Sequence, residues 1–424
     1  MVEQNALSVI TSIKLDQVQA LSDCLDNIAA NLADNGFVSF PNMTTIHFCC
    51  WVIVNNDPNF APCLVLESNF DGDLDAHLDQ WIAVGGAALD MVYSKCEGYP
   101  STGCKSPGGV KAYLKINAIS TPAFYVGCPG QDLASVRNAI GVRESIERFV
   151  SEEQAKGSLT GLTALQTQEK IKAFLTTLSP VKPQISPRTL DQQAARANKN
   201  KWMLIIAALF VVILTFPLLI LFLIVFSIVL RSNEKNDASK PVPPPLPIDQ
   251  RLFAIEDMYT QNHLTTLVNV KPGKFRLYTL KFILSAANLL AKAFFITGNL
   301  GGIPTIHFAR WAFMDNDRRL LFFSNYDGSW SSYLGDFVDK ANYGLTSIWS
   351  NTESFPPANF LIWGGAMHIE AFKEWSREHN LYANVWYSAY PEETLWNLQK
   401  DVRLRDTIMQ NLTEEQAATL LQTL

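Results

Sequence analysis

The chain has 424 residues, a net charge of −6 and seven cysteines, all between Cys24 and Cys128. That length holds two or three domains, each able to bury a core, and the charge, with no dominant basic stripe, excludes nucleic acid as a partner on electrostatic grounds. The odd cysteine count, without a Cys-x-x-Cys pair, speaks against a disulfide framework or a zinc ribbon, so the thiols read as reduced core fillers facing the cytosol.

No basic stretch followed by an apolar run opens the chain, so no cleavable signal peptide is expected. Residues 7–14 alternate as a strand and 15–32 have helical spacing. Residues 44–54 and 63–69 are β-rich runs joined by a turn at Asn55-Asn56-Asp57-Pro58. A long helix is expected over 73–93, another from 109, a strand over 123–127 and a closing helix over 132–150. Residues 156–200 form a linker with one helix and several prolines, 201–231 a membrane segment, and 232–250 a stiff proline-rich spacer containing Pro243-Pro244-Pro245.

The region 251–424 then repeats the region 1–155. Thr45-Ile46-His47-Phe48 with Trp51 returns as Thr305-Ile306-His307-Phe308 with Trp311, and Ser68-Asn69-Phe70-Asp71-Gly72 returns as Ser324-Asn325-Tyr326-Asp327-Gly328. Pro129 with Arg143 answers Pro391 with Arg405, and Ser151-Glu152-Glu153-Gln154-Ala155 has an echo in Thr413-Glu414-Glu415-Gln416-Ala417. A repeat of this length means two domains of one fold rather than a solenoid.

The segment from Trp202 to Leu230 is apolar apart from a few hydroxyls, with Pro217 near its centre. As a straight helix it is about 43 Å long, against a hydrocarbon core of about 30 Å, so a re-entrant hairpin turning at Pro217 or a single kinked helix fits. Positive residues flank it on both sides (Arg196, Lys199 and Lys201; Arg231, Lys235 and Lys240), as a hairpin with both ends in the cytosol requires. One crossing would also separate the two halves, so the sequence favours the hairpin and an integral membrane protein with both repeats cytosolic. Residues 275–300 suit an apolar helix at the lipid interface, interrupted by Lys281 and Lys292.

Stripped of an extra helix, each copy reads β-α-β-β-α-β, the ferredoxin-like order, which gives an α+β fold. Two such repeats side by side resemble the dimeric α/β-barrel superfamily, and the resemblance implies an intrachain pseudodimer with its sheets face to face around a cavity. That superfamily includes chlorite dismutases and dye-decolourising peroxidases, the latter with a Gly-x-x-Asp-Gly signature. Asn69-Phe70-Asp71-Gly72 keeps the Asp-Gly and lacks the leading glycine. The resemblance makes Asp71 and Asp327 candidate catalytic acids and His368, which has no counterpart in the first copy, a candidate haem axial ligand.

Read locally, Asp71 and Asp327 are strand-to-helix turn residues accepting backbone N–H bonds. Period-two spacing puts His47 with Trp51, and His307 with Trp311, on one strand face, with Arg310 opposite. His47, Trp51, Asn69, His307, Trp311 and Asn325 are therefore the candidate ligand-binding set. The expected function is a membrane-anchored binder of an apolar or amphipathic small molecule between the repeats; a haem peroxidase-like oxidoreductase and a non-catalytic membrane scaffold are the alternatives.

Overall fold

The computed structural model describes residues 3–178, 183, 190–237, 249–255, 258–294, 300–422 and 424; the polyproline run at 241–247 lies outside them. The described residues form a mixed α+β fold with antiparallel sheets and one long apolar helix.

In chain order the first half holds β1 (Gln4–Ser12), α1 (Val18–Ala29), β2 (Ile46–Val54), β3 (Cys63–Asp71), α2 (Leu74–Tyr93), α3 (Pro107–Ile116), β4 (Ala123–Val126), α4 (Leu133–Ala155) and α5 (Ala164–Thr177). The helix α6 (Leu190–Asp237) follows, then α7 (Arg251–Ile255). The second half holds β5 (Gln261–Asn269), α8 (Lys274–Phe294), β6 (Ile306–Met314), β7 (Arg319–Asp327), α9 (Trp330–Trp349) and a small hairpin, β8 (Ala358–Asn359) with β9 (Trp363–Gly364). It ends with α10 (Ile369–Glu378), β10 (Asn380–Leu381), β11 (Val385–Ser388), α11 (Leu395–Ile408) and α12 (Glu414–Leu421).

The halves match in register as well as order. Gln4 pairs with Asp71 and Gln261 with Asp327, and both β2–β3 and β6–β7 carry an irregularity at the same place, between Ile46 and Phe48 and between Ile306 and Phe308. The last strand of each half does not join its own sheet. β11 adds to β2 of the first half, with Val385 opposite Trp51, and β4 adds to β6 of the second, with Ala123 opposite Trp311. The sheet orders are thus β1-β3-β2-β11 and β10-β5-β7-β6-β4. Just before β4, Ile10 N–H donates to Asn117 O and Ile119 N–H to Ser8 O; β10 touches β5 in the same way. The residues leading into each exchanged strand therefore pair with one sheet and the strand itself with the other, which joins the two sheets into a ring.

The interior of that ring is filled. Cys50, Val52, Val54, Cys63 and Val65 of one sheet meet Leu267, Met314, Leu321 and Phe323 of the other, and at one end Phe48, Phe308, Tyr390, Leu133 and Leu398 form a further cluster. The outer faces carry larger cores under the helices, centred on Trp51 and Trp81 in the first half and on Phe322, Trp349 and Trp375 in the second. Gly127 is required where β4 enters β6, since a Cβ there would strike the Ile306 carbonyl and Leu395 Cδ2.

The echo of 151–155 in 413–417 is corrected. Residues 151–155 lie inside α4, whereas Thr413 caps α12 with Gln416 in a capping box; its match is the capping box of Thr163 with Gln166 that opens α5. α5 is fastened to the second half: Gln168 Nε2 donates to Ile408 O at 2.8 Å, and Glu414 accepts the Ala164 N–H at 2.6 Å.

α6 runs unbroken through Pro217, the continuous form of the two sequence alternatives, and its side chains between Trp202 and Val229 are largely exposed. Its C-terminal end is docked. Glu234 accepts the N–H groups of Phe360 and Leu361, both at 2.9 Å, and Asp237 pairs with Lys271 and Arg276. α8 packs beside that end, with Phe275 5.3 Å from Phe226, and leaves Tyr278, Phe282 and Leu289 exposed.

Candidate functional site

The strand irregularity decides where the histidines point. The extra residue in β2 and β6 flips the alternation, so His47 and His307 turn to the barrel end while Trp51 and Trp311 pack outward under the helices. The expected His–Trp face is therefore corrected. Arg310 stays opposite Trp311, reaching into the barrel to donate to Leu7 O at 2.9 Å, and it is His307 that turns to its side.

Each histidine meets the aspartate of its own half. His47 Nε2 lies 3.0 Å from Asp71 Oδ1 and His307 Nε2 2.7 Å from Asp327 Oδ1, all four residues buried. The other carboxylate oxygens accept the N–H of Leu133 at the start of α4 and of Leu395 at the start of α11, each at 2.7 Å. The neighbouring helices are capped elsewhere, α2 by Asp73 and α9 by Ser329. The aspartates are thus helix-start acceptors, for the distant helix rather than the adjacent one. Gly72 and Gly328 follow with φ of 85° and 80°, the left-handed turn that the Asp-Gly pair announces.

Tyr390 sits between the two dyads. Its hydroxyl is 3.0 Å from His47 Nδ1 and its ring 6.0 Å from that of His307. Burial pushes its phenol well above the usual range, so it donates. With Tyr390 donating to His47 Nδ1, the ring proton is on Nε2, toward Asp71 Oδ1. The chain Asp71–His47–Tyr390 braces the end of the barrel and ties a residue of the second half to the first.

A second polar group lies inside the barrel and was not anticipated from the sequence. Glu67 Oε1 is 3.0 Å from Arg310 Nη2 and accepts from Asn69 Nδ2 at 2.9 Å and Asn325 Nδ2 at 3.4 Å. Cys50 Sγ is 3.3 Å from Glu67 Oε2 and 3.5 Å from His263 Nε2. His263 Nδ1 is 3.0 Å from Asn325 Oδ1, which also accepts the Trp386 indole N–H at 3.0 Å. Burial pushes the Cys50 thiol up and pulls His263 down to about 4, so the ring is neutral. The signal for this cluster is in the comparison of the halves: at equivalent interior positions Cys50 corresponds to Arg310, Glu67 to Phe323 and Ala6 to His263.

Of the sequence-chosen residues, the structure gathers His47, Asp71, His307 and Asp327 at one end and Asn69 and Asn325 around Glu67; Trp51 and Trp311 are elsewhere. His368 is exposed at the start of α10. The residues do not fit a haem: both candidate acids are committed to histidines and helix starts, the barrel is filled, and His368 faces outward. A cleft of about 300 Å³ opens at the seam of the halves, lined by Asn55, Asn56, Asp249, Arg251, Asn380 and Tyr382 among others, and includes none of the chosen residues. Compared with known proteins, the chain matches no family model, no curated protein and no solved structure.

Proposed function

We propose that this protein is a non-catalytic membrane scaffold: two ferredoxin-like repeats forming an intrachain pseudodimer of the dimeric α/β-barrel kind, tethered to a bilayer from one side by α6. The observation that carries the reading is the reciprocal exchange of β4 and β11, which interlocks the halves around a filled interior.

The exchange supports an even number of membrane crossings between the halves, since one crossing would part them. α5 is pinned to the second half, and the chain from Leu178 to Leu190 reaches at most about 40 Å. It carries Lys182 and Arg188 with Pro180, Pro183 and Pro187, which suits no passage through hydrocarbon. A segment apolar all round, with no polar face to leave in water, immerses rather than lies on the surface. This reading therefore requires α6, unbroken through Pro217 in the structure, to bend there in the bilayer into two arms that enter and leave on one side, with the exposed aromatic face of α8 against the same leaflet.

Two measurements test this. Full-length protein in sealed vesicles, with a thiol probe at Asp34→Cys or at Glu415→Cys, is expected to label from the same face; labelling from opposite faces sinks the topology. Native mass spectrometry from nanodiscs is expected to show the chain without an organic ligand, and a stoichiometric small molecule or haem would overturn the scaffold. A small-molecule binder is the second reading, favoured only by the seam cleft, whose asparagines, Asp249 and Arg251 suit a polar ligand.

A further inference from the structure

We infer that the barrel interior holds a transition-metal site, with Cys50 Sγ, Glu67 Oε2 and His263 Nε2 as ligands for a borderline-soft divalent cation of the zinc class.

The three donor atoms lie within 4.8 Å of one another. Around a tetrahedral zinc, with a thiolate at about 2.3 Å and nitrogen or oxygen at about 2.0 Å, the sulfur stands about 3.5 Å from each neighbouring donor. The observed separations of Cys50 Sγ from Glu67 Oε2 and His263 Nε2 are 3.3 and 3.5 Å. A thiolate with an imidazole selects zinc, cobalt or copper over magnesium or calcium.

The surrounding groups orient each ligand. An indole N–H only donates, so Trp386 fixes the Asn325 oxygen toward itself and His263. That oxygen must then accept from His263 Nδ1–H, which leaves the lone pair on Nε2, directed at Cys50. A ligating histidine commonly gives its second nitrogen to such an acceptor. Thr265 Oγ1, 2.8 Å from Nε2, donates to the same lone pair and is the group that the metal displaces. The Glu67 carboxylate is divided likewise: Oε1 is held by Arg310, Asn69 and Asn325, while Oε2 faces the thiol and the histidine.

The broken symmetry leaves one buried acceptor unpaired. Asn325 Oδ1 is satisfied by His263 and Trp386, but Ala6 and Phe124 stand at the matching places in the first half, and Asn69 Oδ1 is buried without a partner. Binding releases the Cys50 proton to solvent and leaves a thiolate on the metal. Arg310 cancels the charge of Glu67 from the side that the metal does not use.

The test is metal content and absorption of the full chain, expressed in cobalt-supplemented medium and purified in detergent under reducing conditions, so that loading accompanies folding. About one cobalt per chain is expected, with thiolate-to-cobalt charge-transfer absorption in the near ultraviolet. Cys50→Ser is expected to lower both at least tenfold, Cys24→Ser to change neither, and Thr265→Val, which removes only the competing donor, to keep or raise occupancy. A wild-type protein with under a tenth of an equivalent of metal overturns the site, whatever the variants do. So does a charge-transfer band that survives Cys50→Ser.

Discussion

Replacing Arg310 by Met removes one side of an ion pair that joins the two sheets. Glu67 and Arg310 are 3.0 Å apart with side chains only 1% exposed. At an effective dielectric of about 20 their attraction is about 5 kcal/mol, set against a desolvation cost of several kcal/mol for each ion. Arg310→Met leaves the carboxylate with the Asn69 and Asn325 amides and no counter-charge, and frees the Leu7 carbonyl. The expected loss is about 3–5 kcal/mol, with a similar loss for Glu67→Met, which strands the guanidinium. The double variant buries neither charge and is expected within about 2 kcal/mol of the wild type, or above it. Urea unfolding of the full chain in detergent with a chelator, followed by tryptophan fluorescence at fixed pH, gives the four stabilities, provided the m-values agree. The singles adding up in the double variant to within about 0.5 kcal/mol would refute the reasoning, because uncoupled groups add.

Asp71→Ala and Asp327→Ala each remove an acceptor for a histidine and for a helix-start amide, so each is expected to cost about 2–3 kcal/mol by the same unfolding assay. A difference above about 1.5 kcal/mol between them would contradict matched braces. Burial holds His263 at about 4 and His77 at about 3, below the ordinary 6.5. The unfolded chain therefore takes up these protons first on acidification, so this stability is complete above about pH 6.5 and drains toward pH 4. The His263 share is about 3 kcal/mol at about 1.4 kcal/mol per unit, and a stability–pH curve that His263→Gln leaves as steep would count against it. Gly127→Ala forces a Cβ against the Ile306 carbonyl and is expected to cost at least about 2 kcal/mol, seen as a lower unfolding midpoint.

The strand pairs and the Asp-Gly turns were legible because each is local: β-rich runs joined by a turn mark β2 and β3, and a left-handed glycine marks Gly72 and Gly328. Three features were not. The irregularity at His47 shifts alternation by one residue without any change in composition, and it turned His47 away from Trp51 and His307 to the side of Arg310. Strand exchange leaves no trace in the sequence of β4 or β11, since Phe124 and Trp386 suit either sheet. The interior cluster was missed because its members stand on different strands, and each alone reads as a buried strand residue: Cys50 as a core filler, His263 as a strand start. The dyads were half legible, with His47 and Asp71 both chosen but assigned to separate arrangements.

The interior also gives a reason for two halves in one chain. A symmetric dimer uses every residue near its axis twice, so a glutamate placed there meets a second glutamate and an arginine a second arginine. Two copies of the first half would bury two Glu67 carboxylates with Cys50 at both places where Arg310 stands, leaving two charges without a counter-ion. Two copies of the second half would bury two Arg310 guanidinium groups against Phe323. Only the covalent pair lets Glu67 of one half face Arg310 of the other and sets His263 against Ala6. One chain ensures that each first half folds against a second half rather than against its own kind, and the segment that joins them includes α6. On the proposed reading α6 also tethers the protein to the lipid; in the folded protein, cleavage within it is expected to release no separate stable half, because β4 and β11 still hold each fragment to the other's sheet. Proteolysis after Arg196 or Arg231 followed by native electrophoresis in detergent checks this, and two fragments migrating apart would refute the interlock.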